Sequence, residues 1–536
     1  MSGRTVRDAA LDALREHGLT TIFANPGSTE ITFLSGLPDD FRFVLGLHEA
    51  SVVGMATGYA LGRGRAAFVN LHTTPGLGNA VAALSTARAN RAPLVVLVGQ
   101  QHRRHLALEP FLTGRLEGLA GDYPVWVNQP VQAHDVPGAL ARAVHEAETW
   151  RGPAIVIVPQ DDWHAPFDPD AAEPAAARHV VRSSGVDRGA VDELAALLSE
   201  ARSPGIVAGA GTGEPRAWAA LTALAEHLSC PVWQECFSGR AGFPQDHPLF
   251  AGVLPAARSK LRRTLAACDV VLAVGAPVFR QYVYEPGPLV ERGTRLAVVT
   301  EDPAEAHRSP VDLALLAPPA AVCELLVEEL PSRDAPPPPR PEPPVAPEPP
   351  GPGQPLRAAH VLAALAERLP RNVVLLEEAP SNGPELRRRI PAREPLGFLS
   401  AAMGGLGFAI PAAAGLRMAL PDRAVVAIVG DGSSLYTIQS LWSAARYGAG
   451  ALFVVLSNGR YAVMDRLADM SGEPGPWPAF NLDISALARP FGCEARRIES
   501  HDELLQTLDE VVPGLASRES PLLIEAVVEP DPTFEP

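Results

Sequence analysis

Residues 424–433 read Ala-Val-Val-Ala-Ile-Val-Gly-Asp-Gly-Ser, and this stretch decides the fold class. Its first six residues are apolar without a break, a pattern typical of a strand that is buried on both faces of its sheet. A glycine turn and a helical pattern follow directly. The stretch therefore predicts an α/β fold with mainly parallel sheets, whose ligands bind at the carboxyl ends of the strands.

The same alternation of apolar runs and helical patterns recurs along the 536 residues. Between Pro331 and Pro355 about half of the residues are proline, which predicts an extended linker. A softer boundary lies between Ala165 and Ser184, where prolines interrupt an alanine-rich stretch. We therefore predict three doubly wound α/β domains and one proline-rich linker: domains at residues 1–165, 185–330 and 356–536, and the linker at 331–355.

The first and third segments share a layout. In each, a strand (67–72 or 424–429) leads through a glycine-containing turn into a helix and then into the next strand. This pattern is consistent with an ancient duplication and equally with the chance similarity that alternating α/β proteins produce. The sequence leaves both explanations open.

Charge and lysine content exclude several classes of protein. The 45 basic and 61 acidic residues give a net charge of −16, which argues against nucleic acid as a partner. Lys260 is the only lysine, and it lies in neither a Walker loop nor a Schiff-base context. P-loop nucleotide hydrolysis and pyridoxal phosphate chemistry are therefore excluded.

Cysteine spacing and hydropathy indicate the compartment. The five cysteines are scattered without a Cys-x-x-Cys pair, and the N-terminal 18 residues lack the apolar core of a signal peptide. No apolar run reaches the 18 or so residues that span a bilayer. We therefore expect a cytoplasmic protein with no membrane partner.

A candidate metal site follows from two turns at the ends of successive strands. Asp431 lies in the turn Gly430-Asp431-Gly432-Ser433, and Asn458 lies just beyond the next predicted strand, with 25 residues between it and Gly432. If the two strands are neighbours, a carboxylate and an amide oxygen converge at one sheet edge, which suits Mg²⁺ held against a diphosphate. The alternative is two ordinary tight turns.

Three further residues lie at predicted strand ends in the first domain. Glu49 follows the apolar run 43–47 and begins a helix, His72 ends a strand, and Ser28 closes the turn Asn25-Pro26-Gly27-Ser28. Each has an ordinary structural explanation: a first-turn acid facing the helix dipole, a structural histidine and a turn residue. Taken singly, these residues do not establish a site.

Taken together, the segments resemble the thiamine-diphosphate-dependent 2-oxo-acid decarboxylases, and among them those that act on aryl substrates. The resemblance covers essentially the whole chain in the same order. The segments that carry it are Asn25-Pro26-Gly27-Ser28, His48-Glu49-Ala50, Asn70-Leu71-His72, Gly275-Ala276-Pro277-Val278-Phe279-Arg280, Gly404-Gly405-Leu406-Gly407-Phe408, Gly430-Asp431-Gly432 and Asn458-Gly459.

The resemblance implies a role for each matching residue. Glu49 hydrogen-bonds the pyrimidine ring of thiamine diphosphate, Leu406 holds the cofactor bent, and the Gly404 carbonyl accepts from its amino group. Asp431 and Asn458 bind Mg²⁺ through side chains and Arg460 through its carbonyl. Ser28 binds the substrate carboxylate and His72 is the acid/base. The remaining implied cofactor contacts are Asn25, Pro26, Gly430, Gly432, Ser433, Tyr436 and Tyr461.

The resemblance also implies an architecture: a pyrimidine-binding first domain, a Rossmann-like middle domain and a diphosphate-binding third domain. The site would lie between the first domain of one subunit and the third domain of another, so the resemblance implies a homodimer at least and a tetramer by analogy. In the middle domain, the loop Gly209-Ala210-Gly211-Thr212-Gly213-Glu214 suggests a dinucleotide site, but Glu214 occupies the third glycine position. We expect a structural turn there.

The sequence departs from the family at the substrate pocket. Tyr282 stands where the aryl decarboxylases carry a second active-site histidine, and a phenol ordinarily titrates too high to shuttle protons at neutral pH. His102 and His105 are alternative proton carriers, although a solvated loop accounts for both. The other implied pocket residues are apolar and differ in size from their counterparts: Phe111, Leu112, Val463 and Leu467.

We therefore predict an enzyme that decarboxylates an aryl or branched 2-oxo acid, through the thiamine diphosphate ylide, to an aldehyde and CO₂. One alternative is a carboligase that joins the same activated aldehyde to a second one. The other is a homologue that binds the cofactor without turnover. The sequence does not distinguish the natural substrate.

Overall fold

The computed structural model describes residues 3–168, 176–177, 180–182, 185–334, 336, 339, 341–351, 353–473 and 475–530. Within these residues the chain forms three sheets in which every strand pair is parallel. The predicted α/β fold with mainly parallel sheets is therefore confirmed. Much of the softer boundary at 165–184 and parts of the 331–355 linker lie outside the described residues, and the linker residues that are described form no helix or strand.

The first sheet has six strands in the order β2-β1-β3-β4-β6-β5. Separate apolar clusters cover its two faces, so it is doubly wound. Its elements are α1 (Val6–Glu16), β1 (Thr21–Asn25), α2 (Ile31–Leu34), β2 (Arg42–Leu45), α3 (Glu49–Arg63), β3 (Ala67–Leu71), α4 (Thr73–Ala89), β4 (Leu94–Gln100), β5 (Trp126–Asn128), α5 (Val136–Trp150) and β6 (Pro153–Pro159).

The second sheet also has six strands, in the order β12-β11-β10-β7-β8-β9, which is the Rossmann order read from the other edge. Its elements are α6 (Arg188–Glu200), β7 (Pro204–Ala208), α7 (Pro215–Leu228), β8 (Val232–Gln234), β9 (Phe250–Val253), α8 (Arg258–Leu265), β10 (Val270–Val274), β11 (Arg295–Thr300), α9 (Pro303–Arg308), β12 (Leu313–Leu316) and α10 (Pro319–Glu329).

The glycine loop of the middle domain is explained by backbone packing. A Cβ atom on Gly209 would lie 2.3 Å from the Gly275 carbonyl oxygen, and one on Gly211 would lie 2.7 Å from the Gly275 Cα. The Gly211 amide donates to the same carbonyl at 2.9 Å. These contacts close the crevice between β7 and β10, as expected for a structural turn.

The third sheet follows the order β13-β19-β17-β16-β14-β15, and β18 also pairs with β19. Its elements are β13 (Leu356–Arg357), α11 (Ala358–Arg368), β14 (Val374–Glu378), α12 (Gly383–Arg389), β15 (Phe398–Ser400), α13 (Ala409–Ala419), β16 (Val425–Gly430), α14 (Asp431–Ser434), α15 (Ser440–Arg446), β17 (Leu452–Ser457), α16 (Ala462–Ser471), α17 (Ile484–Ala488), β18 (Glu494–Ile498), α18 (His501–Val511) and β19 (Leu522–Glu529).

The first and third sheets share one topology. The path β15-β14-β16-β17-β19-β18 repeats the order of the first sheet strand for strand, with β13 added. In both sheets the strand order reverses between the first and third strands of the repeat, which is where parallel sheets open a crevice for ligands. The likeness in layout thus extends to the complete strand order.

The layout expected after the two matching strands differs in detail. After β3 no glycine-containing turn intervenes, because α4 already begins at Thr73, and the helical segment expected after the glycine turn of the third domain is split into α14 and α15. Ser434 Oγ donates to the Asp431 carbonyl at 2.6 Å, and glycine and serine are weak helix formers, so the helix stops after one turn.

Across the described residues, none of the helices is both long and apolar enough to cross a bilayer. All five cysteines are free thiols.

Candidate active site

The first half of the site lies where β1 and β3 end, at the reversal of strand order in the first sheet. Glu49 is buried at the start of α3, and two amide groups hold its carboxylate. Asn25 Nδ2 donates to Oε1 and Asn79 Nδ2 donates to Oε2, each at 3.0 Å. The protein itself therefore orients the carboxylate through both of its oxygens.

His72 follows β3 and is held by an acidic neighbour. Its Nδ1 lies 3.0 Å from Glu30 Oε2 and 3.0 Å from Thr29 Oγ1. Glu30 is buried and also accepts from the Gly27 amide at 2.8 Å. A proton on Nδ1 satisfies these acceptors, which leaves Nε2 for proton transfer.

Close packing fixes the ring of His72. A Cβ atom on Gly27 would lie 2.4 Å from the ring, and one on Gly99 would lie 1.8 Å from Glu30 Oε1. Thr73, the next residue after His72, has a φ of 35°, which is unusual for a β-branched residue. Gly27 thus makes room for the ring of His72 and Gly99 for the carboxylate that holds it, and the backbone that follows the histidine is strained.

The second half of the site lies at the ends of β14, β16 and β17 in the third sheet. Asp431 Oδ2 accepts from the backbone amides of Asn458 at 2.9 Å and Gly459 at 2.6 Å. This brings the two predicted metal ligands together. Burial raises the pKa of Asp431, because desolvation of its charge outweighs the effect of these hydrogen bonds.

A cavity opens beside Asp431. It is lined by residues from the ends of four elements, including the predicted residues Leu406, Gly430, Gly432, Ser433, Asn458, Arg460, Tyr461 and Val463. The ring of Tyr461 packs against the backbone of Gly432, since a Cβ atom on Gly432 would lie 2.6 Å from that ring. The structure therefore gathers most of the third-domain residues that the resemblance implies as metal ligands or cofactor contacts.

The segment Ser400–Gly407, here called the cofactor loop, borders this half-site. Glu378, at the end of β14, accepts from the backbone amides of Gly407 at 2.6 Å, Phe408 at 2.8 Å and Ala409 at 2.5 Å. Burial raises the pKa of Glu378 to about 7, because desolvation of the charge outweighs these three hydrogen bonds. The carboxyl group thus fixes the end of the loop that follows Leu406.

The two half-sites of one chain are separated along α4. Asn79, which holds Glu49, lies seven residues before Thr86, and Thr86 Oγ1 lies 3.3 Å from the position a Cβ atom would take on Gly405 of the cofactor loop. Seven residues correspond to about 10 Å of helix. Glu49 and the cofactor loop of one chain therefore lie at different levels of this helix.

The residues assigned to the substrate pocket lie at the surface of the single chain. Phe111 is 88% exposed and Tyr282 is 59% exposed. Val463 and Leu467 lie on α16, a helix without a fully buried residue. His102 accepts from the Arg104 amide at Nδ1 and so caps a short 3₁₀ segment, and the same nitrogen lies 3.4 Å from Asp161 Oδ2. Within one chain Phe111 and Tyr282 are thus open to solvent, while Val463 lines the cavity beside Asp431.

Four residues of the site were not predicted from the sequence. Glu30, Asn79, Glu378 and Asn90 each contact a predicted site residue or the cofactor loop. None belongs to the segments that carry the resemblance, although Glu30 follows Asn25-Pro26-Gly27-Ser28 by two positions. An acid so close to that turn was the one available signal.

Comparisons with known proteins all point to one enzyme family. The N-terminal thiamine pyrophosphate-binding domain of thiamine pyrophosphate enzymes matches residues 4–119, their central domain matches residues 191–326, and their C-terminal thiamine pyrophosphate-binding domain matches residues 384–526. A benzoylformate decarboxylase of Pseudomonas aeruginosa is 40% identical over 539 residues, covering 99% of this chain and 100% of that protein. A putative acetolactate synthase large subunit of Mycobacterium tuberculosis is 30% identical, covering 97% and 98%.

Similar solved structures belong to the same family of enzymes. A thiamine diphosphate-dependent 4-hydroxybenzoylformate decarboxylase of Rhodococcus jostii is 36% identical with a TM-score of 0.93, covering 98% of this chain and 100% of that one. A benzoylformate decarboxylase of Polynucleobacter necessarius is 33% identical with a TM-score of 0.93, covering 99% and 100%. The chain therefore belongs to the thiamine pyrophosphate enzyme family and carries both of that family's cofactor-binding domains.

Proposed function

We propose that this chain is a Mg²⁺- and thiamine-diphosphate-dependent decarboxylase that converts an aryl 2-oxo acid to an aldehyde and CO₂. One observation carries the proposal: an oriented, buried glutamate and a histidine held by an acid occupy the ligand crevice of the first sheet. The relatives named benzoylformate decarboxylase and 4-hydroxybenzoylformate decarboxylase support an aryl substrate.

The residues present fit the cofactor and its metal. Asp431, the Asn458 side chain and the Arg460 carbonyl are hard oxygen donors, the type that Mg²⁺ prefers. A cation there would neutralise the charge of Asp431, a buried carboxylate whose pKa is raised by desolvation. We assign the diphosphate end to the cavity beside Asp431 and the pyrimidine end to Glu49, the Gly404 carbonyl and Leu406. When bound, thiamine diphosphate supplies a carbon nucleophile and an electron sink.

The side chains of the protein provide proton transfer, substrate orientation and the exclusion of water. The carboxyl group of Glu49, fixed by Asn25 and Asn79, exchanges a proton with the pyrimidine ring. His72, held at Nδ1 by Glu30, moves a proton at Nε2 on the substrate side. Ser28 orients the substrate carboxylate, and the apolar side chains of Phe111, Leu112, Val463 and Leu467 exclude water.

We further propose that the site is shared between two copies of the chain. The first domain, residues 1–165, would bind the pyrimidine, and the third domain, residues 356–536, would bind the diphosphate of the partner's site. The separation of Glu49 from the cofactor loop along α4 supports this assignment, as do the exposed Phe111, Tyr282 and α16. A homodimer is the smallest active unit and a tetramer is expected. The cytoplasmic location stays a prediction.

The sharing of the site is open to a complementation test. Glu49→Gln alters the first half-site and Asp431→Asn alters the second, so each variant alone should be inactive. Mixed dimers would contain one site with both changes and one site with neither. Co-expression of the two variants should therefore restore part of the activity if the site is shared, whereas a site within one chain predicts no recovery.

CO₂ release by the purified protein with Mg²⁺ and thiamine diphosphate tests the reaction. Benzoylformate and 4-hydroxybenzoylformate should be turned over faster than pyruvate or a branched 2-oxo acid, and Glu49→Gln should abolish turnover. Preference for pyruvate would refute the aryl assignment. Cofactor binding without CO₂ release from any of these acids would indicate a homologue without turnover.

Tyr282 favours one alternative, the carboligase. It occupies the position of a second proton-transferring histidine in aryl decarboxylases, so slower protonation of the product would leave time for a second aldehyde to react. Product analysis with and without added benzaldehyde distinguishes the two reactions. Acyloin as the main product in both the wild type and Tyr282→Phe would make the carboligase the better description.

A further inference from the structure

The cofactor loop is held at its first end by a side chain from the first domain. Asn90, the residue that caps the C-terminus of α4, donates from Nδ2 to the Ser400 carbonyl at 2.8 Å and accepts at Oδ1 from the Ala402 amide at 2.8 Å. The side chain thus pairs with the loop backbone as a neighbouring strand would. Asn90 is 1% exposed, so water does not compete for these bonds.

The middle domain encloses the same contact. The Ser400 amide donates to the Gly239 carbonyl at 3.0 Å, and a Cβ atom on Gly239 would lie 2.9 Å from Asn90 Oδ1. Arg280 reaches the Ala402 carbonyl at 3.3 Å while its guanidinium pairs with the buried carboxylate of Glu235 at 2.6 Å. Three domains therefore meet at residues 400–402.

The centre of the loop has little support of its own. Met403, Gly404 and Gly405 are exposed, and Gly404 has a φ of 69°. Gly404 N donates to the Ala401 carbonyl at 2.8 Å, which forms a tight turn. Beyond the turn, Glu378 fixes the loop again at Gly407. The positions of the Gly404 carbonyl and Leu406 thus depend on the two fixed ends.

We propose that Asn90 is a positioning residue that sets the Gly404 carbonyl and Leu406 against the pyrimidine ring of the cofactor. The inference rests on the proposed cofactor-binding mode and adds a residue to it. Asn90 touches neither cofactor nor substrate, and it acts through the backbone of the loop. Asparagine suits the place because one side chain donates to a carbonyl and accepts from an amide two residues later.

The test compares two substitutions with a control. Asn90→Ala removes both hydrogen bonds. Asn90→Asp keeps the acceptor for Ala402 but sets a carboxylate oxygen against the Ser400 carbonyl. Arg151→Ala is the matched control, because it breaks another contact between the first and middle domains, the pair with Glu214, away from the loop. Thermal unfolding of each apoprotein identifies variants that do not fold.

The decisive readout is hydrogen–deuterium exchange at C2 of bound thiamine diphosphate, measured by quenching and NMR without substrate. We expect Asn90→Ala to slow this exchange and kcat by roughly 10- to 100-fold, since small misplacements at a reacting centre have effects of that size. The Kd for thiamine diphosphate should change by less than about threefold, because the contacts assigned to the diphosphate end remain. Asn90→Asp should slow the exchange and lower kcat by as much as Asn90→Ala does. The exchange rate and kcat of Arg151→Ala should match those of the wild type.

Two results would overturn the inference. One is an exchange rate within about twofold of the wild type in a folded Asn90→Ala protein, since the misplacement expected from a lost positioning contact is larger. The other is a parallel weakening of cofactor affinity and exchange, which a merely structural role would produce. The exchange of the C2 proton for deuterium needs no substrate, so it can be compared between variants even if the wild type releases no CO₂. Such a wild type would contradict the proposed decarboxylation, and the comparison of exchange rates would still decide the role of Asn90.

Discussion

Glu30 Oε2 lies 3.0 Å from Nδ1 of His72, and the carboxylate that makes this contact is buried. The pair links two turns that end neighbouring strands, β1 and β3. A buried acid beside an imidazole fixes the ring and its tautomer, which leaves the opposite nitrogen for proton exchange. If His72 is the acid/base that we propose, Glu30 is a positioning residue for it.

Replacement of Glu30 by glutamine should separate this role from stability. Glutamine keeps the size of the side chain but can present its NH₂ group to Nδ1, which favours the wrong tautomer. We expect kcat for the aryl 2-oxo acid to fall by roughly 10- to 100-fold with KM changed by less than about threefold. Steady-state kinetics check this, and Glu117→Gln, an exposed carboxylate of the same domain, serves as control. An unchanged kcat would show that His72 needs no acidic partner.

Asn79 should matter through Glu49. Its amide donates to one carboxylate oxygen of Glu49 while Asn25 donates to the other. A hydrogen bond to a charged group contributes about 1.5 to 3 kcal/mol, so Asn79→Ala should reduce kcat about tenfold or more. Asn79→Asp should cost more than alanine, because a second negative charge would face Glu49. Equal rates for the two variants would contradict an electrostatic role, and single-turnover kinetics distinguish these outcomes.

The approach of Asp431 to Asn458 was predictable from sequence because it depends on topology alone. Asp431 and Asn458 follow the strands β16 and β17, which are adjacent and parallel, so the two residues had to meet at one sheet edge. The strand pattern likewise predicted three parallel sheets, because uninterrupted apolar runs have few other uses in a chain without membrane-length segments. The family resemblance is confirmed by the matching domains and relatives.

The supporting residues were not predictable in this way. Asn90 contacts a loop that lies more than 300 positions later in the chain, and neither residue type nor spacing indicates that contact. Glu378 reads as the end of a buried strand, and only the structure shows its three backbone donors. Contacts of this kind arise from the packing of domains against each other, which hydrophobic periodicity does not encode.

Asp431 should control the response to magnesium. Asp431→Asn removes the charge that would bind the cation, so the affinity for thiamine diphosphate in the presence of Mg²⁺ should fall by about tenfold or more. The wild type should bind the cofactor more tightly with Mg²⁺ than with EDTA, and the variant should show a much smaller difference. Isothermal titration with and without the metal measures both. Asp422→Asn, an exposed acid just before β16, is the control, and a full magnesium response in Asp431→Asn would place the metal elsewhere.

Glu378 should make the free energy of unfolding fall as the pH rises, because its pKa is raised in the folded chain. Burial raises its pKa from 4.5 to about 7, so the folded chain holds the proton more tightly than the unfolded chain. The resulting stabilisation is complete below about pH 4.5 and is lost as the pH rises through 7. At about 1.36 kcal/mol for each pKa unit, the loss is on the order of 3 kcal/mol.

Glu378→Gln removes this titration while keeping an oxygen for the backbone amides of the loop. Between about pH 5 and about pH 8, the wild type should therefore lose more unfolding free energy than the variant, and its melting temperature should fall further. Thermal unfolding of the apoprotein at several pH values measures the difference, with Glu367→Gln on the exposed side of α11 as control. A wild type whose stability relative to the glutamine variant stays constant over this interval would mean that the three backbone donors outweigh burial, and that Glu378 is ionised throughout.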